Sequence, residues 1–337
     1  MRQTITVLLL FFLPAFLPAA GTLDIYFVDV EGGAATLVVT PQKESLLMDA
    51  GWQRDDARDA KRIVEVATKQ AGLKQIDYFF TSHFHVDHVG GLQALAGLIP
   101  IGKFVDHGER AGKASPLDAA QLESYLRLSE GKRWSVKSGD KLPFKKVSVL
   151  IVASDGRLLD KPLRAGGANP LCENAALKQP DPGDDAHSLG FLVSMGKFRF
   201  LDLGDLSWNK EHELACPVNL IGEVDAYQVS MHGMPMAVTP QQVWAIRPTV
   251  AIMNNGPRKG GAPAAYETVR KSPGLQDLWQ LHYAVASDKE HNTDERMIAN
   301  LEEKDCAGHH LKISVARGGK YTITNSRNGF SKTYQAK

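Results

Sequence analysis

The sequence predicts an α/β (α+β) fold: two mixed sheets packed face to face with helices on both outer faces, a four-layer αββα sandwich. Three observations predict it. Strand-like and helix-like runs recur in two successive halves, and in each half the strands end in polar turns. Two such sets bury their apolar surface by stacking sheet on sheet under outer helices. Ile76–Phe80 reads as an apolar strand suited to the middle of a sheet covered on both faces. The 337 residues and 43% hydrophobic fraction supply a core of the size this requires.

The elements follow in order. Asp24–Val30, Thr36–Thr40 and Ser45–Met48 are short β runs separated by the turn signals Glu31-Gly32-Gly33 and Pro41, which implies an antiparallel meander. Arg58–Ala71 has apolar residues at Ile63, Val64, Val66 and Ala67 between charges, the period of a surface helix, and Gly72 closes it. After Ile76–Phe80 come a short helix (Leu92–Leu98), a strand (Gly102–Val105), a helix (Pro116–Leu128) and a strand (Val147–Val152). Asp155–Asp185 is a long polar insertion rich in Gly and Pro. Ser188–Ser194 and Lys197–Leu203 form a hairpin around Met195-Gly196. A helix (Trp208–Ala215), a strand (Ala226–Ser230), a helix (Gln241–Ile246) and a strand (Thr249–Met253) follow. Ala265–Arg270 and Asp294–Leu301 read as helical, and Leu311–Val315 and Tyr321–Thr324 as strands of a C-terminal extension.

Arg2, the apolar run Val7–Leu17 and the small residues Ala19-Ala20-Gly21 read as a secretory signal over residues 1–20, leaving 21–337 as one domain. The run is short for a membrane span, which needs about 20 residues, and no second run approaches that length. An exported protein, periplasmic or secreted, is expected. Export places three cysteines in an oxidising compartment, where a Cys172–Cys216 disulfide with Cys306 free is favoured over three buried thiols. Lys plus Arg (39) balances Asp plus Glu (38), so composition makes no strong case for nucleic acid as a partner, and it is silent on oligomeric state.

Chemistry concentrates in Thr81-Ser82-His83-Phe84-His85-Val86-Asp87-His88-Val89-Gly90-Gly91. On a turn after a strand, His83 and His85 can reach one ion while Asp87 and His88 serve a second. Imidazole with carboxylate and no nearby cysteine suits zinc, then manganese or iron, in a two-metal catalytic site rather than a structural zinc knot. Asp205 and His232, each ending an apolar strand, complete it as bridging carboxylate and remaining ligand. The loop Asn254–Gly261 has backbone amides and two cations that could hold a phosphate, but no phosphate-loop pattern, and reads as a flexible surface loop. His282, His309 and His310 read as structural or surface residues.

His83-Phe84-His85-Val86-Asp87-His88 resembles the HxHxDH motif of the metallo-β-lactamase fold superfamily, Asp49-Ala50-Gly51 its first motif, Gly204-Asp205 its bridging-aspartate motif and His232 its final histidine. Phe27–Ala34 is similar to the opening of the hydrolase domains attached to DNA-uptake competence proteins. The resemblance implies that Asp49 supports a ligand histidine by a hydrogen bond. It also implies a third ligand for the first ion within Gly183–Leu189, where Asp185 and His187 both qualify. Met231 departs from the second histidine common in that branch.

The expected chemistry is hydrolysis by a hydroxide shared between two divalent ions, which lower the pKa of water from 15.7 to about 7. Asp87 and Asp205 are the catalytic carboxylates of this reading. The competence-like resemblance directs it to a phosphate ester. Lactamase- or lactonase-type chemistry is the alternative, and a metal-containing sensor with little turnover a third.

Overall fold

The computed structural model describes residues 21–109, 115–164, 166–173 and 175–337; the predicted signal segment lies outside them. Two large mixed sheets dominate. The first orders its strands as Ser331–Gln335, Lys320–Asn325, Leu311–Val315, Leu23–Phe27, Thr36–Val39, Ser45–Met48, Ile76–Phe80, Ile101–Asp106 and Arg133–Ser135. Pairing is antiparallel across the N-terminal meander and turns parallel from Ser45–Met48 onward. The second runs Ile298–Asn300, Asp277–His282, Val250–Met253, Ala226–Gln228, Phe198–Asp202, Gly190–Met195, Ser148–Ser154 and Lys141–Leu142.

Alternation along the strands sorts side chains into three cores, and these define four layers. Ile25, Phe27, Val38, Met48 and Phe80 meet Ile151, Phe191, Phe200, Ile252 and Trp279 between the sheets. The opposite faces of the first sheet, through Tyr26, Leu37, Leu47 and Phe79, pack on Ile63, Leu95 and Tyr125 of the helices Arg58–Glu65, Leu92–Leu98 and Pro116–Leu128. The second sheet's outer face, through Leu201, Tyr227 and Ala251, packs on Leu214, Val243 and Val269 of the helices Trp208–Ala215, Pro240–Ile246 and Pro263–Arg270.

Three expectations need correction at the C-terminal end. Asp294–Leu301 is not helical: a single turn at Glu295–Met297 leads into the strand Ile298–Asn300. That strand runs parallel to Asp277–His282, an unexpected strand whose six residues are all buried, so it shows no polar alternation. Ser331–Gln335 was unexpected for the opposite reason: it is an edge strand with only Tyr334 buried. The segment read as an extension therefore contributes three strands to the first sheet, pairing Leu311–Val315 with the N-terminal Leu23–Phe27.

Smaller differences follow local physics. The Arg58 helix finishes as a wider turn over Val66–Gln70 before Gly72. Asp77 interrupts the apolar strand Ile76–Phe80, and its carboxylate accepts hydrogen bonds from the Ser45 amide (2.8 Å) and hydroxyl (3.1 Å) of the neighbouring strand. Among its described residues the 155–185 insertion contains short strands and single turns, and the Cys172–Cys216 disulfide ties it to the end of the Trp208–Ala215 helix. Cys306 is free and buried.

Candidate metal centre

The parallel strands Ser45–Met48 and Ile76–Phe80 end side by side, and the residues that follow them build the floor of the site. Asp49, at φ 66°, receives its backbone tie from the Phe80 carbonyl (amide to oxygen 2.9 Å). Its carboxylate accepts from the Ser82 amide (2.8 Å) and the Ser82 hydroxyl (2.6 Å). The ligand loop is then clamped by backbone bonds, Ala34 amide to Asp87 carbonyl (3.1 Å) and Ala50 amide to His88 carbonyl (2.7 Å).

Two groups of ligand atoms form above this floor. The first joins His83, His85 and Asp185; the second joins Asp87, His88, Asp205 and His232, all four buried. Every histidine and aspartate predicted for the site therefore lies in one group or the other except Asp49 and His187. Asp49 lies directly behind: its Oδ2 is 2.7 Å from His88 Nδ1. A carboxylate only accepts, so Nδ1 carries the proton and Nε2 offers its lone pair to the centre. The Asn254 carbonyl, 3.4 Å from His232 Nδ1, orients His232 in the same sense. His187 turns away and its Nδ1 sits 3.1 Å from Asp155. Of the two candidates for the first group, the structure brings Asp185 to it.

The donor geometry fits metal ions. Ligand atoms about 2.0–2.1 Å from one tetrahedral zinc stand roughly 3.3–3.4 Å from one another. In the second group His88 Nε2 is 3.2 Å from Asp87 Oδ2, 3.3 Å from Asp205 Oδ2 and 3.3 Å from His232 Nε2. His232 Nε2 is 3.3 Å from Asp87 Oδ2 and 3.2 Å from Asp205 Oδ2. The first group is tighter: His83 Nε2 lies 2.9 Å from His85 Nδ1, and Asp185 Oδ1 lies 3.2 and 3.0 Å from them. Asp185 Oδ1 makes no hydrogen bond, while the rings pair within each group, His83 with His85 and His88 with His232. In both groups the ligand atoms also converge on one point.

Electrostatics agree. Burial pushes the Asp205 carboxyl up, but His232 and His88 override it and hold the group well below the usual carboxylate range. Asp87 behaves likewise, with burial outweighed by His88, His232 and Lys259. Without a cation, protonated His88 and His232 supply this counter-charge; a bound metal would take their place and leave both rings neutral.

Several contributors were not legible in the sequence. The loop Asn254–Gly261 is no flexible surface segment: Asn254 and Asn255 are buried, the Gly261 amide donates to the His232 carbonyl (2.9 Å), and the Lys259 ammonium contacts Asp87 Oδ2. Gly260, at φ 76°, lies so close that a Cβ would meet the His232 carbonyl at 2.1 Å. Asp184 accepts from the Phe84 amide (2.7 Å) and so steadies the backbone between His83 and His85. An acidic residue beside Asp185 is the only sequence signal for that role, whereas Lys259 was one of the two loop cations noted as able to hold a phosphate before the loop was read as surface. His282 is buried with Nε2 2.6 Å from Asp29, and with Asp29 and Cys306 it forms a further buried group of ligand atoms apart from this centre.

Comparison with known proteins finds the following likenesses. Residues 28–133 match the family model of the metallo-β-lactamase superfamily. A metal-dependent hydrolase from Cupriavidus necator is 25% identical over 275 residues, covering 76% of this chain and 82% of its own. Among solved structures, the metallo-β-lactamase fold protein YhfI from Bacillus subtilis is 9% identical, covers 76% of this chain and 95% of its own, and has a TM-score of 0.48. MEM-A1, a subclass B3 metallo-β-lactamase from a soil metagenome library, is 15% identical over 78% of this chain and 77% of its own, with a TM-score of 0.36. With a metallo-β-lactamase superfamily match over residues 28–133, αββα layers and histidine–aspartate ligand groups, the chain is a metal-dependent hydrolase of the metallo-β-lactamase fold.

Proposed function

We propose that this protein is a phosphodiesterase-like hydrolase that works with two divalent cations, zinc before manganese or iron, on a phosphate ester. The observation that carries the reading is the pair of ligand groups on one six-residue turn, His83 and His85 facing one point, Asp87 and His88 the other. When bound, two such ions supply a nucleophile at neutral pH and charge stabilisation at both the attacking and leaving oxygens of an in-line displacement.

The chain's own residues bind and orient. His83, His85 and Asp185 hold one position; Asp87, His88, Asp205 and His232 hold the other. Asp49 and the Asn254 carbonyl keep the His88 and His232 rings in the tautomer that presents Nε2. Among the ligand carboxylates Asp205 is 8% exposed, Asp87 10% and Asp185 14%; Asp205 groups with the second position, and its bridging role is carried by the resemblance.

The test is hydrolysis by metal-replete protein of bis-p-nitrophenyl phosphate against nitrocefin, with metal content measured in parallel. Turnover of the diester alone, with nearly two metal equivalents, is expected. Turnover of nitrocefin alone would transfer the assignment to lactam chemistry, and silence on both would favour a sensor. We also infer export to the periplasm or medium, supported by the Cys172–Cys216 disulfide. Fractionation that leaves the protein in the cytosol would refute it.

A further inference from the structure

Lys259 was not among the expected site residues, and its setting is built. The loop that bears it folds back on itself, the Gly256 amide donating to the Lys259 carbonyl at 2.8 Å. Asn255 anchors the loop through its side-chain amide, which donates to the His282 carbonyl at 2.8 Å. Gly32, at φ 84°, lies against it so closely that a Cβ would stand 2.9 Å from Lys259 Cβ. The side chain then crosses the Trp52 ring, with Nζ 5.0 Å from its centroid, and Trp52 is itself held by its amide donating to Asp59 Oδ2 at 2.9 Å. The ammonium ends on Asp87 Oδ2 with 29% of its side chain still exposed.

A lysine so placed has two possible duties: to neutralise Asp87, or to meet something arriving from solvent. Position separates them. Asp87, Asp205, Asp185 and Asp49 carry the negative charge of the centre, and bound divalent cations would be the main counter-charge for it. Lys259 reaches Asp87 from the solvent side and keeps part of its side chain exposed. It therefore sets a positive charge beside the second ligand group, partly open to water, on a loop that is pinned. An ammonium with three donors and no acceptor binds an anionic oxygen as a point charge.

We propose that Lys259 is the anion receptor of this site: it binds a non-bridging oxygen of the substrate's phosphoryl group and makes the enzyme selective for negatively charged esters. For the class of anion this rests on the phosphate-ester reading; the receptor role itself requires only a negative charge on the substrate.

The experiment uses the full metal-loaded protein and its Lys259→Met and Lys259→Arg variants. Affinity for inorganic phosphate is measured by calorimetry, metal content by mass spectrometry, and kcat and KM with bis-p-nitrophenyl phosphate and with a neutral phosphate triester. Loss of a charge-assisted contact predicts phosphate affinity weaker by about 10- to 100-fold in Lys259→Met, largely recovered in Lys259→Arg, with metal content unchanged. The rise in KM should be at least tenfold greater for the anionic diester than for the neutral triester. Unchanged phosphate affinity would overturn the proposal. So would a parallel fall in metal content, which would make Lys259 a partner of Asp87 and nothing more. Wild-type protein that binds phosphate through Lys259 yet never cleaves the diester would refute the phosphate-ester function and leave the receptor standing. Diester cleavage with an indifferent Lys259→Met variant would do the reverse.

Discussion

The two ligand groups share one turn of chain but are built to different standards. In the second, His88 and His232 are fully buried and Asp87 and Asp205 are 10% and 8% exposed. Its residues come from three separate strand ends, and each ring is oriented from behind by a different acceptor, Asp49 or the Asn254 carbonyl. In the first, His85 is 32% and Asp185 14% exposed, and Asp185 comes from a single turn at the end of the 155–185 insertion. Its outer support is thinner: the Ser82 hydroxyl 3.0 Å from His83 Nδ1, and Asp184 on the Phe84 amide. Pre-oriented, desolvated donors lose little freedom on binding a cation, so the second group should hold its ion more tightly than the first.

The sharpest way to break this comparison is to remove one carboxylate from each group. Asp205→Ala should strip most of the metal and cost more than the about 10- to 100-fold that loss of an outer partner costs a metal site. Asp185→Ala should retain close to one equivalent. Metal analysis of the two purified variants decides it, and equal losses would mean that the groups are not independent in the way their burial suggests.

Removing the outer supports gives a smaller effect. Asp49→Ala should lower metal affinity or turnover by about 10- to 100-fold, because His88 loses the acceptor that sets its tautomer. Asp184→Ala should act on the first group and cost about tenfold or less, since it holds a backbone amide and no ligand ring. Chelator competition monitored over time should release metal faster from either variant than from the parent.

A separate effect, read as folding stability and not as metal affinity, concerns the carboxyl beneath the second group. Burial pushes the Asp202 carboxyl up to about 7, against the opposing hydrogen bond from the Gly204 amide (3.0 Å). A carboxyl raised in the folded state binds its proton more tightly there than when unfolded. Its contribution is therefore fully present below about pH 4 and is lost as pH rises through 7, by up to about 4 kcal/mol. Asp202→Asn keeps the acceptor for Gly204 and should melt higher than the parent at pH 8, with the gap closing toward pH 5. A gap that is constant with pH would show that Asp202 is not the group responsible.

Much of the ligand set was legible because it is local. His83, His85, Asp87 and His88 fall within six residues on a strand-to-helix turn, so their spacing alone brings them together. Asp205 and His232 were visible because each follows an apolar strand, and strands of one sheet deliver their ends to one edge. Lys259 was visible only as one of two loop cations and the role of Asn254 not at all, because a loop without periodicity carries no record of what it packs against. The strand Asp277–His282 was missed for a related reason, since covering on both faces erases the alternation by which a strand is recognised.

By itself the sequence determined the chemistry: which donors are present, that they are nitrogen and oxygen rather than thiolate, and that the strand ends present them. Only the tertiary structure decided between Asp185 and His187, joined the C-terminal strands to the first sheet, and laid Lys259 across Trp52 onto Asp87. Those outcomes depend on contacts between segments far apart in the chain, where packing and burial choose among residues that local pattern leaves equivalent.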